Sequence, residues 1–396
     1  MGNGINLRLA FTKYGDAPIE YRELSGQQNK FFTQDGGKPY IEEICNISKD
    51  NPVLVISCGR RYEIFQDKTK TLAVLPTYVK GGFFSRLFGL VFSQILIFRL
   101  LIRFKPDFVG CIDCGTNFVT PFIYSFFYKA KFLPIIPGQI GGSHFGGKFL
   151  SRLFFALLRS SRTNRVLVRA EFLRKQLVKE GVQESIISTY FPVYDKSFFK
   201  IEDVGPVMES SIFRIIFVGR LAKVKGIFDL LEICKQVTKH IKDVQFIVIG
   251  TGPQLSKIKH ALEQEQLKKS MLLLGYQRHE KIYSYMKKSD ALIIPSYAEG
   301  ICKVAWEGIL SEIPIIASKV GGLRDLITDG ETGYLCAPGE TREFAQKILE
   351  IYRDRALLKQ IKSNLKILKQ ELLKPKPSLE DRVTQYIKEQ EWFVIS

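Results

Sequence analysis

The stretch FRIIFVGRLAKVKGIFDLLEICKQV, residues 213–237, decides the fold. A β-branched and aromatic run, Phe213–Val218, ends in Gly219; Arg220, Lys225 and Gly226 follow, and from Ile227 apolar residues recur at helical spacing. This is one βα unit of a parallel sheet. The same alternation continues with strand Gln245–Gly250, helix Gln254–Leu267, strand Leu272–Gly275, helix Glu280–Lys288, strand Ala291–Pro295, helix Lys303–Leu310 and strand Pro314–Ala317. Each strand ends in Gly, Pro or Ser, so the turns gather on the carboxyl edge of the sheet. There, helix N-termini offer unpaired N–H groups and the positive ends of their dipoles, which suits an anionic ligand.

The first half reads as a rougher version of the same type. Apolar runs at Leu7–Phe11, Val53–Ile56, Leu72–Leu75, Phe108–Ile112, Phe132–Ile136 and Arg165–Val168 are separated by helical stretches, which predicts a second Rossmann-like sheet. A chain of 396 residues suits two domains with a cleft between them. The expected division is 1–205 and 206–377, joined near residues 195–210, with a C-terminal helix at 378–396 packing back on the first domain.

Composition excludes several classes. With 45% hydrophobic and 25% charged residues the chain is too apolar for disorder. Seven cysteines scattered through apolar runs read as reduced core residues of a cytoplasmic protein, and the lone Cys111-x-x-Cys114 lacks a second ligand pair. No basic region followed by an apolar stretch opens the sequence, so a secretory signal is not expected. The most apolar run, Leu87–Phe98, is bracketed by Arg86 and Arg99 and is shorter than the roughly 20 residues that span a bilayer.

The formal charge of +18 is uneven. Residues 1–200 carry 28 Lys and Arg against 15 Asp and Glu, and no acidic residue lies between Asp113 and Glu171. Such a segment attracts phosphates or anionic head groups. Over 147–162, Lys148, Ser151, Arg152, Arg159 and Arg162 share one side of a helix, with Leu150, Leu153, Phe154 and Leu157 opposite and Phe155 interrupting. This is an ordinary Rossmann helix with a wet basic face, or a surface that, with GGFFSRLFGLVFSQILIFRLLIRF at 81–104, rests on anionic lipid. Basic residues interleaved with aromatics also suit an RNA-binding face.

The residues with chemistry cluster in the second half. Arg220 and Lys225, at a strand end and a helix start, suit a diphosphate, or are solvated loop residues. In PSYAEGICKVAWEGIL, residues 295–310, Glu299 lies in a loop and Glu307 eight residues later on a helix. At 3.6 residues per turn this spacing predicts both carboxylates on one side, where each can accept hydrogen bonds from the hydroxyl pairs of a sugar or ribose. The backbone N–H groups of Gly300, Ile301 and Cys302 can cap a phosphate.

Taken in order, GRLAKVKG, IGTGP, LGYQRHEKIYSYMKKSDALIIPS, the Glu299-x7-Glu307 pair and IPIIASKVGGLRDLITDGETGYL resemble the retaining GT-B glycosyltransferases of the group 1 family, over about residues 211–345. The resemblance implies an α/β GT-B fold of two Rossmann-like doubly wound domains facing across a cleft, and a nucleotide-diphosphate sugar as donor. It implies that Arg220 and Lys225 neutralise the donor diphosphate, that Glu299 contacts the transferred sugar and that Glu307 holds the ribose. Gly219 and the Gly250–Pro253 loop with Gly252 approach the nucleotide, and Tyr276 lies near the base. FTQDGGKPYIEEICNI resembles the family's Gly-Gly loop, with Gly36 and Gly37 approaching phosphate or acceptor, or is a plain turn before a helix.

No D-x-D occurs in the sequence, so neither a metal nor a separate cofactor is expected, and Arg220 with Lys225 takes the metal's place. Where the family carries a first-domain histidine this sequence reads LPIIPGQIGGSHFGG, with Gln139 near that place and His144 farther on. In VLVRAEFLRKQLVKEGV and YFPVYDKSFF, Arg169 and Val193–Tyr194 replace the family's serine and Asn-Gly. The expected acceptor is a glycan or lipid-linked glycan in cell-surface polysaccharide or lipopolysaccharide synthesis, at the inner face of a membrane. A sugar-nucleotide epimerase or a phosphorylase of the same fold is the alternative chemistry.

Overall fold

The structure is a computed structural model, and it describes residues 7–14, 43–44, 46–47, 51–59, 62–76, 83–112, 118–138, 147–191, 212–300 and 302–395. The chain forms two compact units, Met1–Val193 with Lys376–Ser396, and Tyr194–Pro375.

In the first unit the β-branched runs become β1 (Leu9–Tyr14), β2 (Val53–Gly59), β3 (Glu63–Asp67), β4 (Lys70–Pro76), β5 (Phe108–Ile112), β6 (Lys131–Ile136), β7 (Val166–Val168) and β8 (Ile187–Thr189). Helices α1 (Phe83–Phe104), α2 (Val119–Phe127), α3 (Gly147–Leu158) and α4 (Glu171–Lys179) cover the sheet. The strand order is β3-β4-β2-β1-β5-β6-β7-β8, parallel throughout except for the β3–β4 hairpin. β1 is central and buried on both faces, which is why Leu9–Phe11 reads as an unbroken apolar run.

The second unit runs β9 (Phe213–Val218), α5 (Ile227–Thr238), β10 (Val244–Ile249), α6 (Leu255–Gln264), β11 (Met271–Gly275), α7 (His279–Lys287), β12 (Ala291–Ile294), α8 (Lys303–Leu310), β13 (Ile315–Ser318), α9 (Leu323–Leu326), β14 (Gly333–Cys336), α10 (Thr341–Arg353) and α11 (Arg355–Leu373). Its all-parallel sheet has the order β11-β10-β9-β12-β13-β14, the doubly wound arrangement whose strand order reverses between β9 and β12. Residues of both helix layers pack on these strands in one continuous core from Phe213 to Leu365.

The last helix, α12 (Leu379–Ile395), belongs to the first unit. Leu379, Val383, Tyr386 and Ile387 recur at i, i+4, i+7 and i+8 and are buried against Leu9, Phe108, Leu167 and Tyr190. The Tyr386 ring meets Phe108 edge-on at 5.7 Å, and Arg382 donates to the Thr189 carbonyl at 2.8 Å.

One feature of α3 differs from the sequence reading. Phe155 does not interrupt a basic face; it is buried with Phe154 and Leu158, so the apolar stripe is wider than a wheel drawn on Leu150, Leu153, Phe154 and Leu157 suggests. Arg159 turns back to donate to the Glu180 carbonyl at 2.6 Å, satisfying an end group of α4.

Candidate functional site

The reversal between β9 and β12 leaves a crevice at the strands' carboxyl ends, because the chain departs in opposite directions from the two neighbours. The loops that flank it are Gly219–Gly226 after β9 and Pro295–Cys302 after β12, and Tyr297 N–H donates to the Val224 carbonyl at 2.9 Å to stitch them together. Gly226 makes their approach feasible. Its φ is +67°, and a Cβ there would stand 1.9 Å from the Pro295 carbonyl oxygen.

Lys225 and Glu299 meet across this seam. Lys225 Nζ donates to Glu299 Oε1 at 2.7 Å and Oε2 at 2.8 Å, and Ser296 Oγ donates to Oε1 at 2.6 Å. Glu299 is 7% exposed, so its charge is held by these donors rather than by water. A third loop supports the carboxylate from behind. Gly322 N–H donates to the Gly300 carbonyl at 3.0 Å, and Gly321, at φ +48°, leaves no room for a Cβ, which would sit 1.7 Å from the Glu299 carbonyl oxygen.

Cys302 precedes α8, its carbonyl accepting from the Ala305 and Trp306 N–H groups at 3.0 and 3.3 Å. Burial pushes its thiol pKa well above the ordinary value, Glu299 and Glu307 push it the same way, and Lys225 opposes them. Both carboxylates therefore act on Cys302 from nearby. Glu307, also buried, has Lys303 Nζ 3.7 Å away, one helical turn earlier. The two-turn spacing argument does not explain this grouping, since α8 begins only at Lys303 and Glu299 stands on the loop before it.

Arg220 is exposed, and among the described residues its guanidinium has no ion-pair partner. Gly219 N–H donates to the Ile249 carbonyl at 3.0 Å and Leu221 N–H to the Thr251 carbonyl at 2.9 Å, while Gly250 N–H donates to the Gly275 carbonyl at 2.8 Å. These bonds join the β9, β10 and β11 loops, setting Gly252 against Leu221 and Tyr276 just beyond β11 with its ring exposed. Beside the pair, a cavity of about 420 Å³ is lined by Lys223, Val224, Gly226, Phe228, Asp229 and Tyr297. The Tyr297 hydroxyl bonds to Asp229, which raises its pKa.

Gly37, Ile301, Gln139 and His144 lie outside the described residues. The sequence reading missed Ser296, Gly321 with Gly322, and Lys303. Ser296 stands three residues before Glu299 in the same turn, and Lys303 four before Glu307, so local spacing could have suggested both.

Residues 209–367 match the model of the family described as Glycosyl transferases group 1. An uncharacterized glycosyltransferase of Methanocaldococcus jannaschii is 27% identical over 211 residues, 53% of this chain and 56% of the relative. The 2-deoxystreptamine N-acetyl-D-glucosaminyltransferase of Niallia circulans is 29% identical over 35% of each chain. The chain thus spans about half or less of the length of these relatives. In three dimensions the chain is similar to Anabaena HepE, solved in complex with UDP, with a TM-score of 0.65 and 16% identity over 97% of this chain and 99% of that one. The fold is that of the GT-B glycosyltransferases, α/β with two parallel-sheet units.

Proposed function

We propose that the chain transfers a sugar from a nucleotide-diphosphate donor to a hydroxyl of a glycan or lipid-linked glycan, with retention of configuration and without a metal. The observation that carries this reading is the Lys225–Glu299–Ser296 constellation at the β9/β12 reversal, with buried Glu307 on the helix that follows. The family match over 209–367 and the names of the relatives support the reaction class, and the UDP complex of a neighbour of like fold supports the donor class.

In this reading the bond from sugar C1 to the diphosphate oxygen breaks with its electron pair left on the diphosphate. The acceptor oxygen bonds to C1 and its proton passes to the departing phosphate. Charge develops on the diphosphate, and Lys225 and Arg220, on the loop after β9, are the cations proposed to offset it. The amide groups of Gly300 and Cys302, with the first turn of α8, are further donors in this reading, and Ile301 remains a sequence-based candidate between them. Glu299 accepts from hydroxyls of the transferred sugar and Glu307 from the ribose, while Gly219, Gly252 and Tyr276 border the nucleotide. Surface-polysaccharide or lipopolysaccharide synthesis in the cytoplasm is the setting proposed; Cys234, Cys302 and Cys336 are buried thiols, in keeping with a reducing compartment.

The test is a thermal-shift screen of UDP-, GDP- and ADP-sugars on the wild type and on Glu307→Ala, since a ligand that binds only the native state raises stability by mass action. The expected outcome is that one nucleotide class stabilises the wild type and the substitution weakens the effect. No response to any sugar nucleotide sinks the proposal.

A further inference from the structure

Five large apolar side chains stand in water along the groove between α1 and α2. On α1, Ser93, Ile97 and Leu101 are buried at 0% exposure against the sheet, while Val91, Ile95 and Ile102 are 51%, 52% and 38% exposed. At 100° per residue these three lie within about 40° of one another, well away from the buried stripe. Gln94 and Phe98 come between the two stripes and face α2, where Thr120 donates to Gln94 at 2.5 Å and Phe98 packs edge-on against Tyr124 and Tyr128. On α2, Ile123 and Phe127 follow that contact one turn apart, 41% and 71% exposed. The five side chains therefore form one outward face astride the α1–α2 seam, a cluster too large to be scattered surface hydrophobics.

The rim of this face is cationic. Arg99 and Arg103 are exposed on the far side of α1, Lys129 follows α2, and the Arg162 guanidinium lies 5.2 Å from the ring of Phe126, itself 56% exposed. Between Asp67 and Glu171 the sequence has only two acidic residues, Asp107 and Asp113. Among the described residues no helix is long and apolar enough to cross a membrane.

We infer that the α1–α2 face docks on an anionic lipid bilayer, with Val91, Ile95, Ile102, Ile123 and Phe127 entering the head-group boundary and Arg99, Arg103, Lys129 and Arg162 meeting lipid phosphates. Charge selects this occupant. A second copy seated on the same face would bring two cationic rims into one interface, since a two-fold contact uses the same patch of both subunits. Four of the five central side chains, all but Phe127, are aliphatic and give nucleic-acid bases no ring to stack on. Of the two segments that the sequence offered for lipid contact, 81–104 and the basic face of α3, the first carries this face, whereas Arg159 beyond α3 is engaged with the Glu180 carbonyl. It stands on the first unit alone and does not depend on the donor-site reading.

The test is co-sedimentation of the full chain with phosphatidylcholine vesicles with and without phosphatidylglycerol, at low and high salt. Three proteins are compared: wild type, Ile95→Glu with Phe127→Glu, and Arg99→Glu with Arg103→Glu, all at exposed sites and each checked for an unchanged melting temperature. The wild type should sediment with the anionic vesicles at low salt and be released by salt, and each double variant should partition at least about tenfold more weakly. A wild type that stays in the supernatant overturns the inference, and so does equal binding by the apolar-face variant. A dimer in solution that the same variant dissociates, without vesicle binding, assigns the face to self-association instead. Sugar-nucleotide stabilisation should be alike in all three proteins, so its loss across the series would concern the donor site and not this face.

Discussion

Glu299 receives two donors from one ammonium and a third from Ser296 in a site almost closed to water. Removing the ammonium leaves a buried carboxylate with a single partner, whereas Lys225 keeps part of its hydration, its side chain being 31% exposed. The cost of Lys225→Met is therefore smaller than the 3–5 kcal/mol of a fully buried pair, and about 1–3 kcal/mol is expected from the urea midpoint. The loss in transfer should be far larger, at least about a hundredfold in kcat, because a positioned cation acts on charge that exists only as the bond breaks. A variant that loses the stability but keeps the rate would make the pair structural. At this scale the sequence was legible where residues carry charge: Arg220, Lys225 and Glu299 stand out on the loops after strands, and Glu307 on the helix that follows. Ser296 was passed over despite standing three residues before Glu299, since a serine after Pro295 looks like any turn residue until its hydroxyl is found on the carboxylate.

The elements that hold this pair are loops fixed by close backbone contact, and the tightest is the Lys319–Gly322 turn after β13. Gly321→Ala must move either its own backbone out of the left-handed region or the Glu299 carbonyl 1.7 Å from the new Cβ. Because α8 and β13 remain buried on their other faces, the fold should survive with a loss of about 2–4 kcal/mol, while transfer falls with the displaced carboxylate. Circular dichroism melting beside initial rates checks this, and unchanged rates would show that the turn does not position Glu299. The boundaries read from sequence coincide with the structure at β5, β9 and α8, where an apolar run is bounded by Gly, Pro or a charge. They fail at β3, β8 and β14, which are short or edge strands whose pairing is imposed by neighbours: β3 alternates half-buried and exposed residues beside β4, and β8 has only three residues against β7. The sequence reading set Glu299 on a loop and Glu307 on the helix after it, as the structure does, but helical periodicity does not carry across the loop, because α8 begins only at Lys303.

Across the whole molecule the two units enclose separate cores, one drawn entirely from Phe213–Leu365 and the others from the first unit with α12. The residues proposed to bind donor that the structure describes all belong to the second unit, whose folding a donor should stabilise directly. Scanning calorimetry should then show two transitions, of which a saturating sugar nucleotide raises one. At a hundred times Kd the gain is about 2.7 kcal/mol, and a unit of this size gains roughly 2–4 °C per kcal/mol, so a rise of about 5–10 °C is expected. Hydrogen exchange identifies which transition moved: protection should increase at β9, β12 and α8 and stay unchanged at α1 and α2. Anionic vesicles should produce the converse pattern, protecting the α1–α2 face and leaving the β9 and β12 loops as they were. If donor and vesicles protect the same segments, the assignment of sugar-nucleotide binding to one sheet and lipid contact to the other is wrong.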